Sequence, residues 1–183
     1  MAFSGKQISN PVSGQSIRFI STSVDTDGSL LEMESSFAAH SQEPIAHYHP
    51  FQKEVFTVLE GKIQIRINNS IRELKQGEIL HMKPNMIHSM WNPFDTPARV
   101  HWTVQPALGT EYFFETGMGL ATDGKVDKKG MPKLLQSVLL LDRFKREFRL
   151  SKPSFNIQKI LLKSLSPIAR MVGYRAVYDK YID

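Results

Sequence analysis

Four side chains in the first half of the chain have the types and the spacing of metal ligands. His47 and His49 are two residues apart, so on a strand both imidazoles would lie on the same face. Glu54 follows five residues later, on or near the next strand, and His88 comes much further along, just after a turn. Three imidazoles and one carboxylate suit a borderline divalent ion. Iron, manganese, nickel, copper or zinc therefore fits this set, whereas magnesium or calcium fits it poorly.

The composition narrows the kinds of metal site that this chain can build. The 183 residues include no cysteine, which excludes a disulfide framework, a thiolate zinc site, an iron–sulfur cluster and a cysteine nucleophile. Any bound metal must therefore be held by His, Asp or Glu. The length is that of one domain with a modest extension, and the apolar fraction of 41% is that of a folded protein.

The spacing of these four residues matches two linked motifs. The first is similar to one cupin motif and the second to the other, in the right order: His47-x-His49-x4-Glu54-x6-Gly61 and Gly77-x10-His88-x3-Asn92. The resemblance to the cupin superfamily covers roughly residues 16–106. It implies a double-stranded β-helix, that is, a small jelly-roll barrel. It also implies a metal ion inside the barrel, bound by His47, His49, Glu54 and His88.

Three positions depart from the motif pattern. Ser41 replaces the leading glycine of the first motif, and the proline before the second histidine is shifted to Pro84, with Lys83 in its usual place. Asn85 replaces the turn glycine, a mild change because asparagine adopts the left-handed conformation more readily than other non-glycine residues. None of the departures removes a ligand, so we expect them to affect the conformation of the loops more than metal binding.

Alternating apolar residues predict the strands that would hold these ligands. Lys62 to Asn68 alternates strictly, Asn68-Asn69 supplies a turn, and Ser70 to Leu74 is the predicted return strand. Further strands are predicted between Pro, Gly and Asn clusters at Ile17–Thr22, Leu30–Ala38, Ile45–His49, Val55–Glu60, Ile79–Met82, Ser89–Trp91 and Ala98–Gln105. Many short strands with turns between them are typical of a sandwich or barrel.

The pattern becomes helical after Pro106. Residues 107–131 form a predicted connector with one short helix near Phe113–Leu120. Pro132 is predicted at the first position of a helix that ends at Ser151-Lys152-Pro153. A second helix, capped by Ser154, would bury a stripe of Ile157, Ile160, Leu161 and Leu165, and Pro167 would begin another turn. We therefore divide the chain into a barrel at 1–106, a connector at 107–131 and a helical extension at 132–183.

Charge is distributed unevenly along the chain. Residues 1–124 hold nine Lys/Arg and 13 Asp/Glu, whereas residues 125–183 hold 14 Lys/Arg and five Asp/Glu. The basic extension could pack on the barrel or a partner subunit, lie on a membrane surface, or contact nucleic acid. The wide apolar stripes favour packing, so we expect a homodimer and do not expect nucleic-acid binding. The sequence has no apolar run near 18 residues and begins without an apolar signal, so we predict a cytoplasmic protein without a membrane span.

Several other residues are candidates for the surroundings of the site. The side chains that could shape a substrate cavity are Tyr48, Gln52, Phe56, Trp91 and Trp102, although aromatic residues more often serve ordinary barrel packing. His101 shares a strand face with Arg99 and Thr103, which predicts a solvated position.

The function that follows is a metal-dependent enzyme acting on a small organic molecule in the barrel. The resemblance includes quercetinase-type members, which slightly favours a dioxygenase-like oxidoreductase over an isomerase or decarboxylase. Glu54 is the candidate catalytic residue, either as a permanent ligand or as a base. The rival interpretation is a non-enzymatic module that senses or stores a small ligand, with the metal as an anchor.

Overall fold

Eleven strands form two antiparallel sheets in the computed structural model, which describes residues 1–182. The strands are β1 (Gln7–Asn10), β2 (Gln15–Ser21), β3 (Leu31–Phe37), β4 (His47–Tyr48), β5 (Lys53–Glu60), β6 (Lys62–Ile67), β7 (Ser70–Lys75), β8 (Ile79–Met82), β9 (His88–Trp91), β10 (Ala98–Gln105) and β11 (Arg149–Leu150). One sheet has the order β1-β2-β3-β10-β5-β8, and the other has the order β11-β4-β9-β6-β7. Helices follow the barrel, so the predicted class, a jelly-roll barrel followed by C-terminal helices, is confirmed.

Period-two alternation explains why these segments form strands. Ile63 and Ile65 of β6 are fully buried, while the lysine, glutamine and arginine between and beside them face outward or lie half-buried. They pack with Phe56 of β5 and Val100 of β10 in the apolar core between the two sheets. Burying one face of each sheet against the other removes a large apolar area from water, which stabilises the barrel and holds its strand ends in place.

Turn residues adopt the backbone conformations that their types favour. Asn68 has a positive φ of 53° and joins β6 to β7, and Asn85 has a φ of 66° in the turn before β9. Gly61 has a φ of 73°, and a Cβ there would lie 2.5 Å from the Pro97 carbonyl oxygen. Only glycine fits that position without moving the backbone. The predicted turn at Asn68 and the left-handed Asn85 are confirmed.

Two strands were not predicted from the sequence. The segment that forms β1 carries a single large apolar residue, and it pairs at the edge of its sheet with β2. The strand β11 lies within the segment predicted to be helical. It pairs with β4, so that Arg149 lies opposite Tyr48 and Leu150 lies opposite His47. The C-terminal extension therefore adds a strand to the sheet that carries the candidate ligands.

The helices differ from the predicted ones mainly at their ends. Their bounds are α1 (Thr110–Thr122), α2 (Leu134–Arg143), α3 (Phe155–Met171) and α4 (Asp179–Ile182). Pro132 lies before α2 in an isolated bridge with Val126, so its predicted place at the first helical position is wrong. The predicted end of α2 near Ser151 is also wrong, because the chain leaves the helix after Arg143 and pairs as β11. Pro167 lies inside α3 and does not begin a new turn.

The buried face of α3 is not the one predicted. Ile157, Ile160 and Leu161 are 50%, 67% and 47% exposed. The face that is buried holds Gln158, Leu162, Ser166 and Ala169 instead. Leu165, the fourth residue of the predicted stripe, is half-buried, but the other three do not pack within the chain. Their burial would require a partner subunit, which stays a prediction. Within residues 1–182, no helix has the combination of length and hydropathy that a bilayer crossing requires.

Candidate metal centre

Three histidines converge at one end of the barrel. His47 lies on β4, His49 directly follows that strand, and His88 begins β9, where it is the register partner of His47. One ring nitrogen of each histidine lies within 4.8 Å of those of the other two. The ring centroids are 4.6 to 5.2 Å apart. His47 and His88, which are 41 residues apart in sequence, therefore meet through strand pairing.

Backbone carbonyls set the orientation of all three rings. The Nδ1 atoms of His47 and His88 lie 2.9 and 3.0 Å from the carbonyl oxygen two residues earlier in the chain. The Nδ1 atom of His49 lies 2.6 Å from the carbonyl oxygen of Glu147. A carbonyl oxygen can only accept, so each Nδ1 carries the hydrogen and each Nε2 offers a lone pair. Metal-binding histidines commonly have this arrangement.

Glu54 lies beside the three rings. Its side chain projects from β5, the residue is 2% exposed, and its Oε1 accepts a hydrogen bond of 3.1 Å from the Trp102 indole nitrogen. Oε1 also lies 3.5 Å from His49 Nε2, and Oε2 lies 3.2 Å from His88 Nε2. Neither of these contacts has hydrogen-bond geometry, and both His49 Nε2 and Glu54 Oε2 are buried without a partner among residues 1–182.

The unpartnered atoms test whether a metal ion fits. Leaving a nitrogen lone pair and a carboxylate oxygen buried without partners costs free energy. A divalent cation among them would satisfy both at once, and imidazole and carboxylate are ligands that transition metals accept. The side chains present therefore fit an ion, with His47, His49 and His88 as the converging nitrogen donors and Glu54 as the adjoining oxygen donor.

The pKa shifts keep most of the site in the state that a metal needs. Burial, together with the charges of His88 and His49, holds the pKa of His47 well below its usual range. Burial likewise lowers the pKa of His49. Burial alone would raise the pKa of Glu54, but the charge of His49 and the contact with His88 lower it. Two neutral imidazoles and an ionised carboxylate at neutral pH are ready to bind without releasing protons.

His88 is the exception, because Glu54 favours its charged form. Burial alone would lower the pKa of His88, but the contact with Glu54 and its negative charge outweigh burial and raise the pKa. A metal ion must therefore compete with a proton at this position more than at His47 or His49.

The C-terminal extension completes the surroundings of the histidines. Phe148 stacks on the His47 ring with centroids 4.5 Å apart and an interplanar angle of 23°. Glu147 supplies the carbonyl that holds His49, and its own Oε1 accepts a 2.9 Å hydrogen bond from the Gly109 amide. Sequence reasoning missed both residues. No local signal marks them, because the three- and four-residue spacing of apolar residues predicted a helix through this segment.

A cavity of about 280 Å³ adjoins the histidines. Of the residues predicted to shape it, Phe56 and Trp102 line its wall, whereas Tyr48, Gln52 and Trp91 do not belong to the lining. The buried side chain of Gln52 instead donates to two backbone carbonyls and to Thr110 at the start of α1. That volume is near the lower end of the range for small-molecule sites.

The other residues singled out in the sequence have structural roles. His101 Nε2 lies 2.7 Å from Glu32 Oε1 on a partly exposed face, as its strand position predicted. Ser41, which replaces the motif glycine, accepts a 2.8 Å hydrogen bond through its hydroxyl from the Asn92 amide. Ser41 at the start of the first motif is thus hydrogen-bonded to Asn92 at the end of the second, which supports the loop that precedes His47.

Comparison with known proteins identifies the domain that carries the histidines. A model of the cupin domain matches residues 33–104. The tetracenomycin polyketide synthase protein TcmJ of Streptomyces glaucescens is 32% identical over 60 residues, which are 33% of this chain and 40% of that protein. The quercetin 2,3-dioxygenase of Bacillus subtilis is 29% identical over 72 residues, 39% of this chain and 21% of that protein. The matches thus span less than half of either curated relative.

Solved structures of similar architecture include an RmlC-like cupin from Shewanella frigidimarina. It aligns with 60% of this chain and 93% of its own, at 19% identity and a TM-score of 0.49. The C-terminal helices of the present chain lie outside the residues that the cupin-domain model matches.

Proposed function

This chain is a member of the cupin superfamily, and from that premise we propose that it binds one divalent transition-metal ion through His47, His49, Glu54 and His88. The observation that carries the proposal is the hydrogen bonding of all three Nδ1 atoms to backbone carbonyls, which leaves three Nε2 lone pairs for a metal. The donor set suits iron, manganese, nickel, copper or zinc.

We further propose that the metal site is the centre of an enzyme acting on a small organic molecule in the adjoining cavity. Bound there, a metal ion would supply Lewis-acid or redox chemistry. His47, His49, Glu54 and His88 would hold the ion from the protein side, and an ion with a higher coordination number would still be able to accept a substrate or dioxygen. The similarity to a quercetin 2,3-dioxygenase supports a dioxygenase-like oxidoreductase as the reaction class.

The residues around the histidines would have different roles in this enzyme. Glu54 is the proposed catalytic residue, because it is the buried carboxylate that reaches two of the three imidazoles. The Trp102 indole holds one of its oxygens and leaves the other directed toward His88. Phe148 covers the outer face of His47 with an apolar ring, which excludes water from that side.

Metal content and oxygen uptake test the proposal. The protein is purified without added metal, and its metal is measured by mass spectrometry. Oxygen consumption is then followed with a panel of flavonols, diketones and thiols after loading with iron, nickel or manganese. We expect about one ion per chain and oxygen uptake with at least one class of compound. A metal-loaded protein that binds compounds of the panel but consumes no oxygen with any of them would support the rival function, a small-molecule-binding module.

The Glu54→Gln variant separates the two proposed roles of this carboxylate. If Glu54 is a permanent ligand, the variant loses metal, because an amide is a much weaker donor than a carboxylate. If Glu54 acts as a base, the variant retains metal and loses turnover. Metal content and the rate of oxygen uptake, measured on the same preparation, distinguish these results. A variant that keeps both would overturn the assignment of Glu54 to the site.

We also propose that two chains associate through the exposed apolar face of α3. Six large apolar residues of this face and the turn after it are exposed: Ile157, Ile160, Leu161, Ile168, Met171 and Val172. Analytical ultracentrifugation should report a dimer, and Ile160→Glu should shift it to a monomer because a carboxylate would be buried in the contact. The matched change Ile79→Glu, at an exposed position on the barrel, should leave the dimer intact. A monomeric parent protein contradicts the proposal.

A further inference from the structure

The cavity beside the histidines has two walls of different origin. The barrel wall includes Phe56, Met90 and Trp102, which lie within the residues that the cupin-domain model matches. The opposite wall comes from outside that range: Phe113, Phe114 and Met118 from α1, Leu140 and Leu141 from α2, and Phe148 before β11. The connector and the extension thus supply about as much of the lining as the barrel does.

The chemistry of this lining excludes several classes of ligand. Among the described residues that line the cavity there is no lysine or arginine, and the one carboxylate is that of Glu147. Away from the histidine end, an organic acid, a phosphate or a sulfate would have no cationic side chain to meet it there. A sugar or polyol would lose water on all sides and find few partners, since Gln15 donates to Ser35 within the wall itself.

Aromatic rings in the wall point to a particular shape of ligand. Trp102 and Phe114 are in edge contact with centroids 5.2 Å apart, and Phe113 stacks on Phe148 with centroids 5.0 Å apart. Phe148 in turn stacks on His47, so a series of aromatic rings runs from the histidines onto α1. Aromatic walls of this kind favour flat, ring-containing molecules, which stack or make edge contacts with them.

We infer that the cavity takes an uncharged, mainly apolar, ring-containing molecule whose oxygen-bearing end faces the histidines and whose body contacts α1, α2 and Phe148. The assignment of the polar end depends on the proposed function, because it is the metal that would receive that oxygen. The assignment of the apolar body depends only on the cavity. Residues outside the cupin domain therefore select the substrate, while those inside it hold the metal.

Binding of an uncharged aromatic probe tests the inference without turnover. N-phenyl-1-naphthylamine becomes more fluorescent when it enters an apolar site, and Trp102 in the cavity wall provides a second signal through quenching. We expect saturable binding to the full chain both before and after metal removal with a chelator. 2-Naphthol should displace the probe, whereas glucose should not, and neither should citrate from the metal-free protein.

Two pairs of substitutions on α2 locate the binding. Leu141 lines the cavity, whereas Leu134 on the same helix is 71% exposed and does not. Leu141→Glu should raise the probe's Kd at least about tenfold, because a charge in an apolar wall repels an apolar ligand. Leu134→Glu should change the Kd less than about twofold. Leu141→Trp should weaken binding by filling space, with Leu134→Trp as its control, so the conclusion does not depend on one variant remaining folded.

The outcomes separate this inference from the proposed function. Displacement of the probe by glucose, or by citrate from the metal-free protein, as well as by 2-naphthol would overturn the inference, and so would equal binding by the Leu141 and Leu134 variants. Failure of the parent protein to bind the probe would also overturn it. A protein that binds the probe but holds no metal supports the cavity assignment while it contradicts the proposed function. A protein that holds metal but does not bind the probe contradicts the cavity assignment while it supports the proposed metal site.

Discussion

The barrel and the C-terminal extension contribute to the same site in different ways. The barrel supplies the four proposed ligands from β4, β5 and β9. The extension supplies a backbone carbonyl from Glu147, the ring of Phe148 and much of the apolar wall of the cavity. The comparison assigns the proposed metal ligands to the strands, whereas the extension orients one histidine and supplies much of the wall that would contact a ligand.

The two regions also differ in charge and in packing. Residues 1–124 have a net charge of −4, whereas residues 125–183 have a net charge of +9. The core between the two sheets consists of buried apolar side chains, whereas α3 presents a row of apolar side chains to solvent. Both regions expose some large apolar residues, but in the extension most of them lie on α3 and the turn after it, where a second chain could cover them together.

The largest expected loss of bound metal follows from removing a ligand that the barrel supplies. His88→Ala should reduce metal content from about one ion per chain to below about a tenth of that, because one nitrogen donor is lost and Glu54 is left beside an empty position. Metal is measured by mass spectrometry after dialysis. His101→Ala is the matched control, since His101 lies on β10 and pairs with Glu32 away from the site. A His88→Ala protein that keeps all of its metal contradicts the four-ligand site.

The pH dependence of metal affinity tests whether His88, a barrel residue, binds the metal. The pKa of His88 is raised, whereas those of His47 and His49 are lowered, so His88 takes up the first proton as the pH falls. Below the pKa of His88, affinity should fall about tenfold per pH unit, because one proton must leave for each ion that binds. Isothermal titration calorimetry from pH 8 to pH 5 measures this slope. Constant affinity over that range is incompatible with His88 as a ligand.

A substitution in the extension tests whether it orients the barrel's histidines. Phe148→Ala removes the ring stacked on His47 and opens that side of the site to water. We expect metal affinity to fall about tenfold, the low end of the effects seen for groups that support metal ligands. Phe3→Ala serves as the control, because Phe3 is exposed and lies outside the cavity lining. Unchanged affinity in Phe148→Ala would mean that this ring does not support the ligands, and would leave the Glu147 carbonyl as the group of the extension that does.

The smallest expected loss of metal affinity comes from replacing Trp102, a barrel residue that supports Glu54. Trp102→Phe keeps an aromatic ring but removes the 3.1 Å hydrogen bond to Glu54 Oε1. Loss of one such hydrogen bond should weaken metal binding by about two- to fivefold. Trp91→Phe is the control for replacing a buried indole elsewhere in the barrel. If Trp102→Phe costs more affinity than Phe148→Ala, the barrel and not the extension provides the main support of the ligands.

The success of the strand predictions has a simple physical origin. A strand with one buried face requires apolar residues at every second position, so the alternation of Ile63, Ile65 and Ile67 determines both the strand and the face that enters the core. The predicted bounds of β8 and β10 are those observed. The convergence of His47, His49 and His88 could be expected because the resemblance to the cupin motifs carries their placement with it.

The extension was harder to predict because helical periodicity sets neither the ends of a helix nor its buried face. The apolar residues after Arg143 keep helical spacing, but α2 ends at Arg143. The segment that follows forms β11 instead, because Leu150 pairs with His47 of β4. A strand that finds an unpaired neighbour in a sheet gains backbone hydrogen bonds that a local pattern cannot anticipate. The same is true of α3, where contacts elsewhere in the chain, and not the apolar stripe, decide which side is buried.

The sequence by itself determined β2 to β10 of the barrel and the four residues proposed to bind a metal, because side-chain alternation and motif spacing are local properties of the chain. Only the tertiary structure decided how those residues are held and what surrounds them. The Glu147 carbonyl that orients His49 comes from 98 residues away. The cavity wall likewise joins β5 to α1 and α2. Backbone carbonyls are identical at every residue, so which of them meets a histidine depends on the folded chain and not on residue type.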